Sequence, residues 1–401
     1  MRIAIDARWI FAEISGIGTY TRELIRQLAR LDTQNEYVLL FREPALRDRT
    51  AAEVNLARAG NFATHLVPYG LFSLRNQLFL PRRLAALRAD VFHSPNYMIP
   101  LLAFGRRRRR TACVVTIHDV IPMIFRDQVA RSKKARIYPL YRCLMLAVGR
   151  RADAIITVSQ ASAADVIEHL RLSGAAAAKV RAIYNGVSEQ FRTGPAGAGA
   201  RPLRAADNRP RTLLFVGRCD PYKNLHVLVR ALALVRQQCP FPVTLTVAGA
   251  PDPRYPEARQ TAAALGLAPA VNWTGYLTDA ALRALYGQAD LLVHPSRYEG
   301  FGLQVAEAMA CGLPVVCGNA GALREIAGDA ALLVDPDDVA GLAAAIGRVL
   351  ADPRLARDMS AKGIRQAAQF TWDRTARATL EVYENVSLNP KSKIQNPKSQ
   401  P

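Results

Sequence analysis

Short apolar runs that do not alternate with polar residues set the rhythm of the chain. In the first half they are IAID (3–6), YVLLF (37–41), DVFHS (90–94), VVTIHD (114–119), AIITVS (154–159) and VRAIYNG (180–186). In the second half they are TLLFVGR (212–218), VTLTVAG (243–249), VNWTG (271–275), DLLVHPS (290–296), PVVCG (314–318) and ALLVD (330–335). Ala- and Leu-rich segments of helical period separate them. Strands covered on both faces read as continuous apolar runs. Strand-helix alternation of this kind winds a right-handed parallel sheet with helices on both sides. It happens twice, so the pattern predicts an α/β chain of two doubly wound parallel-sheet domains facing across a cleft.

Between the two series lies FRTGPAGAGARPLRAADNRP (191–210), rich in Gly, Pro, Ala and Arg and without periodicity. It reads as a linker. The expected boundaries are a first domain over 1–188, a linker over 189–210 and a second domain over 211–370. A final helix over 371–388, packing back on the first domain, follows. In that helix Thr371 is the candidate cap, and Leu380 and Tyr383 share a face. The remainder, 389–401, repeats NPKS with almost no apolar residues, as a disordered tail does.

Composition narrows the class. Half of the 401 residues are hydrophobic and 21% are charged, as in soluble globular proteins. Six scattered cysteines form no C-x-x-C pair and join no His cluster, which argues for reduced thiols, a cytoplasmic setting and no structural zinc. The opening MRIAIDARW lacks signal-peptide architecture, and no apolar stretch reaches the roughly 18 residues of a spanning helix. The formal charge of +20 attracts anionic partners. It concentrates in RRRRR at 106–110, RSKK at 131–134 and Lys391, Lys393 and Lys398. Nucleic-acid binding is the reading from a different class. It calls for aromatics interleaved with the basic residues, and the arginine run holds none, so no nucleic-acid partner is expected.

Ligands of open parallel sheets bind beyond the carboxyl ends of the strands, which selects a few residues. Arg218 ends a strand and Lys223 follows in GRCDPYKN, two cations suited to a diphosphate. In EGFGLQVAEAMACG, Gly300 and Gly302 precede a helix whose first amides favour a phosphate. Glu299 and Glu307 bracket that anion site, which fits a ligand whose neutral hydroxyls lie on either side of its phosphates. His118 ends VVTIH beside Asp119, where a site residue and a structural histidine are equally compatible with the segment. Gly16 and Gly18 in GIGTY allow close backbone approach, but Thr21 stands where a dinucleotide fingerprint needs a third glycine. DPDD (335–338) contains the Asp-x-Asp spacing of some metal sites, yet it precedes a helical run where acids serve as caps.

Taken together these residues resemble the retaining glycosyltransferases of family four, mannosyltransferase-like branch, which adopt the GT-B fold of two Rossmann-like domains. The resemblance runs from DARW (6–9) to WDRT (372–375). It rests on Glu299-x7-Glu307, on Gly217-Arg218-x4-Lys223 and on IYNGVS (183–188). It implies an acceptor-binding first domain and a nucleotide-sugar-binding second domain. Arg218, Lys223 and the amides around Phe301, Gly302 and Leu303 would hold the diphosphate. Glu299 would accept bonds from the sugar hydroxyls and Glu307 from the ribose. His118 would face the sugar, Gly16 and Gly18 would lie near the diphosphate and the acceptor, and Gly249 would border the nucleobase. No metal or other cofactor is implied. DARWI and GIGTYTREL look most like the mannosyl branch, so GDP-mannose is the expected donor and UDP-glucose the alternative. A phosphorylase or sugar-nucleotide epimerase could share the two-domain build. The basic first domain, with Arg75, Arg82, Arg83 and the stretch from Arg131 to Arg151, fits a glycan or polyprenyl-diphosphate-linked acceptor and peripheral contact with anionic membrane.

Overall fold

A computed structural model describes residues 1–13, 15–105, 110–126, 138–192 and 210–388. Most of the arginine run, the RSKK segment, the bulk of the 191–210 stretch and the NPKS tail lie outside the described residues. The chain divides into two compact units. One comprises Met1–Val120, Tyr138–Gly186 and the chain from Trp372; the other comprises Val187–Thr371 with the stretch from Ile121.

The first unit is built on seven parallel strands: β1 (Arg2–Ile5), β2 (Glu36–Phe41), β3 (Phe62–Leu66), β4 (Val91–Ser94), β5 (Ala112–Ile117), β6 (Ala154–Thr157) and β7 (Val180–Ala182). Their order is β3-β2-β1-β4-β5-β6-β7, with Ile3 opposite Tyr37 on one side and Val91 on the other. Central strands are apolar throughout because both faces are covered; Ile3, Ile5, Val115 and Ile117 are fully buried. The edge strand β3, FATHL, has no fully buried residue, and no matching apolar run marks it in the sequence. The Trp372–Leu388 helix belongs to this unit. Arg30 reaches Asp373 at 3.3 Å and the Thr375 hydroxyl donates to the Tyr184 carbonyl at 2.7 Å. Beneath it runs a buried polar chain. The Tyr383 hydroxyl lies 2.6 Å from His93 Nδ1, His93 Nε2 lies 2.9 Å from Thr116 Oγ1, and that oxygen lies 3.0 Å from the Tyr20 hydroxyl. Burial holds His93 down to about 3, so the imidazole is neutral and bonds at both nitrogens.

The second unit carries six parallel strands: β8 (Arg211–Val216), β9 (Val243–Ala248), β10 (Val271–Gly275), β11 (Leu291–His294), β12 (Val315–Gly318) and β13 (Leu332–Val334). The order is β10-β9-β8-β11-β12-β13. Leu213, Phe215, Leu228, Leu245 and Val293 form a core closed by the Val339–Ala351 helix through Leu342 and Ile346. In both sheets the order reverses next to the first strand, at β1/β4 and at β8/β11. Such a reversal sends successive connections to opposite faces and opens a crevice at the strands' carboxyl ends. In the second unit that places the segments after Val216 and after His294 side by side.

Candidate functional site

The second-unit crevice begins where β8 ends. Gly217 has φ +146°, and a Cβ on Gly249 would fall 1.9 Å from the Gly217 carbonyl oxygen. The two strand ends therefore meet backbone to backbone, and only glycine fits at 249. Arg218 then turns outward; its Nε donates to Asp220 Oδ2 at 2.8 Å, and its side chain stays 62% exposed. Pro221–Lys223 forms a 3-10 turn that ends at Asn224 in the left-handed region, φ +56°. The Asn224 amide fixes the turn by donating to the Pro336 carbonyl and to Asp337. That turn carries Lys223 inward, where it is buried.

From the neighbouring strand end comes a partner for it. Glu299 is buried and its Oε1 accepts from Lys223 Nζ at 2.5 Å and from His294 Nε2 at 2.7 Å. His294 is the last residue of β11, fully buried and stacked on Phe215 at 5.6 Å between centroids. The Ser296 hydroxyl lies 3.1 Å from the same imidazole nitrogen. Burial pushes the Glu299 carboxyl up, but the Lys223 ammonium and the His294 bond outweigh it and hold the group at about 2. Burial lowers His294, so a neutral imidazole with Nε2 protonated is the form that donates to Glu299.

Gly302, at φ +94°, precedes the Leu303–Ala310 helix, and no side chain caps that end. A Cβ at Gly302 would come within 2.7 Å of Leu323 Cδ2, so the chain can turn here only as glycine. First-turn amides of a helix have no intrahelical acceptor and carry the positive end of its dipole. Gly312, φ +72°, stops the helix. Glu307 is buried with the Tyr286 hydroxyl donating to its Oε2 at 3.0 Å. Burial raises its carboxyl to about 8, against the pull of Tyr286. The free protein therefore holds Glu307 largely as the neutral acid at pH 7.

Lys223 and Glu299 are thus brought into one hydrogen-bonded group, Gly217 and Gly249 abut, Arg218 pairs with Asp220, and Glu307 pairs with Tyr286. His118, Gly16 and Gly18 belong to the first unit. His118 follows β5; its Nε2 donates to the Pro95 carbonyl at 2.9 Å and its ring meets Tyr20 edge-on at 4.9 Å. Gly16 and Gly18 lie inside the first turn of the Gly16–Leu31 helix, behind Ser15. Both glycines are thus part of the helix itself, and GIG is its N-terminus. In DPDD, Asp338 caps the Val339–Ala351 helix through Gly341 N, and Asp337 accepts from Arg297 and Asn224. Among the described residues no cluster of three or more His, Cys, Asp or Glu forms a metal-binding group.

Two families describe the chain. The profile of the Glycosyltransferase Family 4 matches residues 14–191, and that of Glycosyl transferases group 1 matches residues 201–366. The chain is 32% identical to the MMP alpha-(1->4)-mannosyltransferase of Mycolicibacterium hassiacum, over 96% of this chain and 98% of the relative. It is 28% identical to the O-antigen chain mannosyltransferase B of Escherichia coli, over 96% of this chain and all of the relative. The solved structure of sucrose-phosphate synthase from Thermosynechococcus elongatus superposes with a TM-score of 0.75 at 23% identity, covering 96% of this chain and 98% of that one. That likeness extends to the fold, two parallel-sheet domains of the GT-B type.

Proposed function

This chain belongs to glycosyltransferase family four and is a hexosyltransferase; on that premise we propose that it moves mannose from GDP-mannose to a glycan or lipid-linked acceptor, with retained configuration and without a metal ion. The observation that carries the reading is the buried Lys223–Glu299 pair at the β8/β11 crevice, 2.5 Å apart, with Arg218 close by in the chain. One cation and one carboxylate fixed side by side match a ligand that has phosphates next to hydroxyls.

In this reading Arg218, Lys223 and the amides around Phe301, Gly302 and Leu303 hold the donor diphosphate and stabilise it as it leaves. Glu299 accepts from hydroxyls of the transferred sugar, and Glu307 from the ribose. His118 carries the role toward the sugar that the family resemblance assigns to its position. The acceptor hydroxyl attacks from the side on which the diphosphate departs, and a phosphate oxygen takes its proton. Such a step depends on positioning and preorganised charge more than on a dedicated base. Side-chain cations supply the charge that a metal provides elsewhere.

The choice of mannose is supported by two mannosyltransferase relatives that each align over 96% of this chain. Thermal shift with GDP-mannose, UDP-glucose, UDP-N-acetylglucosamine and ADP-glucose tests it, because a ligand that binds only the folded form raises its melting temperature. The largest rise is expected with GDP-mannose. A rise confined to UDP-glucose replaces the donor, and no rise with any of the four removes the reading.

A further inference from the structure

The loops that leave β1, β3 and β4 at their carboxyl ends gather a set of aromatic rings in the first unit. Trp9 follows β1, Phe72 follows β3 and Tyr97 follows β4. Phe72 meets the Trp9 ring edge-on at 5.9 Å, Phe11 meets it edge-on at 6.5 Å, and Tyr97 tilts toward it at 6.1 Å. Trp9 and Tyr97 are each 5% exposed, whereas Phe11 is 47% exposed and Phe72 63%. The group has buried anchors and an open face.

Buried bonds hold its loops in place. Arg8 pairs with Asp6 at 2.7 Å and donates to the Tyr69 carbonyl at 3.1 Å and to Asn76 Oδ1 at 2.9 Å. It thereby ties the turn after β1 to the segment after β3. Arg49 donates to the Phe11 and Ala12 carbonyls at 2.8 and 2.9 Å. The Asn96 side chain accepts from Tyr97 N at 2.8 Å. Such a frame lets the exposed rings take a ligand without the cost of ordering their loops.

Position, polarity and neighbours identify that ligand. The rings lie at the β1/β4 reversal, where open parallel sheets bind ligands. His118 donates to the Pro95 carbonyl at 2.9 Å, two positions before Tyr97, so the rings adjoin the segment that carries His118. Trp9 Nε1 is buried without a hydrogen-bond partner among the described residues, although a buried indole N–H usually finds one. An alkyl chain would cover the rings and leave that group unpaired. A pyranose ring has a C–H face that packs on the negative face of an aromatic ring, and hydroxyls at its rim that accept from an N–H. We propose that Phe11 and Phe72, backed by Trp9 and Tyr97, stack against a sugar ring of the acceptor, and that the chain therefore elongates an existing glycan rather than charging a bare polyprenyl phosphate. The inference rests on the glycosyl-transfer reading above and is independent of which donor is used.

Titration calorimetry of the full chain with mannotriose and with maltotriose, in the absence of nucleotide, tests it. The wild type is expected to bind at least one of the two, because stacking on a ring face tolerates different sugars. Phe72→Ala is expected to weaken that binding by about tenfold, the scale of losing one aromatic stack, and Phe72→Trp to restore it. Phe72 is exposed, so the melting temperatures of both variants should match the wild type, as should their thermal shifts with GDP-mannose. No heat of binding with either trisaccharide, or equal affinity in Phe72→Ala and the wild type, would overturn the proposal. So would displacement of the trisaccharide by decyl phosphate, which has a chain and a charge but no sugar. A thermal shift with GDP-mannose alongside no trisaccharide binding would overturn this inference alone; trisaccharide binding without that shift would support it and remove the donor.

Discussion

Lys223 and Glu299 lie 76 positions apart in the chain and meet as a buried ion pair, Nζ to Oε1 at 2.5 Å. The adjacency is a product of topology: β8 and β11 are neighbours in the sheet, so the loops that leave them share a crevice. A buried pair of this kind is strongly destabilising to break from one side, because it leaves the other charge uncompensated. Lys223→Ala is therefore expected to lower stability by about 3 kcal/mol and transfer by about 10²-fold. Arg218→Ala separates the two effects. Its guanidinium is exposed although its partner Asp220 is buried, so stability should fall by less than in Lys223→Ala, where both partners are buried, while transfer falls by about 10²-fold. Denaturant melts and initial rates on both variants check this; activity within a few-fold of wild type in both contradicts the diphosphate assignment.

His294 orients Glu299 through its Nε2. His294→Leu removes that bond and is expected to reduce kcat by about 10-fold or more, with nucleoside diphosphate affinity little changed, because Lys223 remains. His294→Gln offers an amide N–H at a similar reach and should recover part of the loss. Equal effects of Leu and Gln would show that the side chain matters only for packing against Phe215.

Glu307 and Glu299 pull the pH dependence of stability in opposite directions. A carboxyl held at about 8 in the folded state keeps a proton that the unfolded chain releases near the ordinary value of about 4.3. Across that window the native state binds more protons, so stability falls as pH rises. Glu307→Gln should remove this slope, gaining on the wild type between about pH 4 and 8. Glu299, held at about 2, contributes stability above the ordinary carboxyl value that is lost as pH falls through the acid range. Identical pH-stability profiles for the wild type and Glu307→Gln would contradict the buried-acid state.

Excess EDTA should leave the transfer rate unchanged. Asp337 accepts from Arg297 and Asn224, and Asp335 accepts from Asp337 N, so no free Asp-x-Asp ligand pair is offered. Loss of activity on chelation, restored by one divalent ion, would contradict a charge supplied by side chains alone.

The strand pattern carried most of the fold. Twelve of the strands coincide with continuous apolar runs, because a doubly covered parallel strand has no polar face to interrupt it. β3 escaped because it is an edge strand with half-exposed residues, and FATHL reads like a loop. The glycines and acids of the crevice were legible because each has a backbone or charge reason to be where it is. His294 and Tyr286 were not. His294 sits inside the DLLVHPS run, where a buried strand-end histidine looks like any other core residue; its position at the last residue of a switch-point strand was the available signal. Tyr286 faces Glu307 only through the packing of two helices, Asp279–Gln288 and Leu303–Ala310, which no local spacing encodes. That Gly16 and Gly18 lie inside a helix was not legible, because glycine is a poor helix former.

The central claim is that the second unit grips the diphosphate of an activated sugar between Arg218, Lys223 and the Leu303–Ala310 helix, with Glu299 and Glu307 on the hydroxyls. A crystal structure with GDP-mannose bound tests this most directly. Phosphate oxygens within hydrogen-bond distance of Lys223 Nζ and of the Gly302–Leu303 amides, with ribose hydroxyls on Glu307, are the predicted result. Nucleotide density elsewhere, with the Lys223–Glu299 pair untouched, would contradict it.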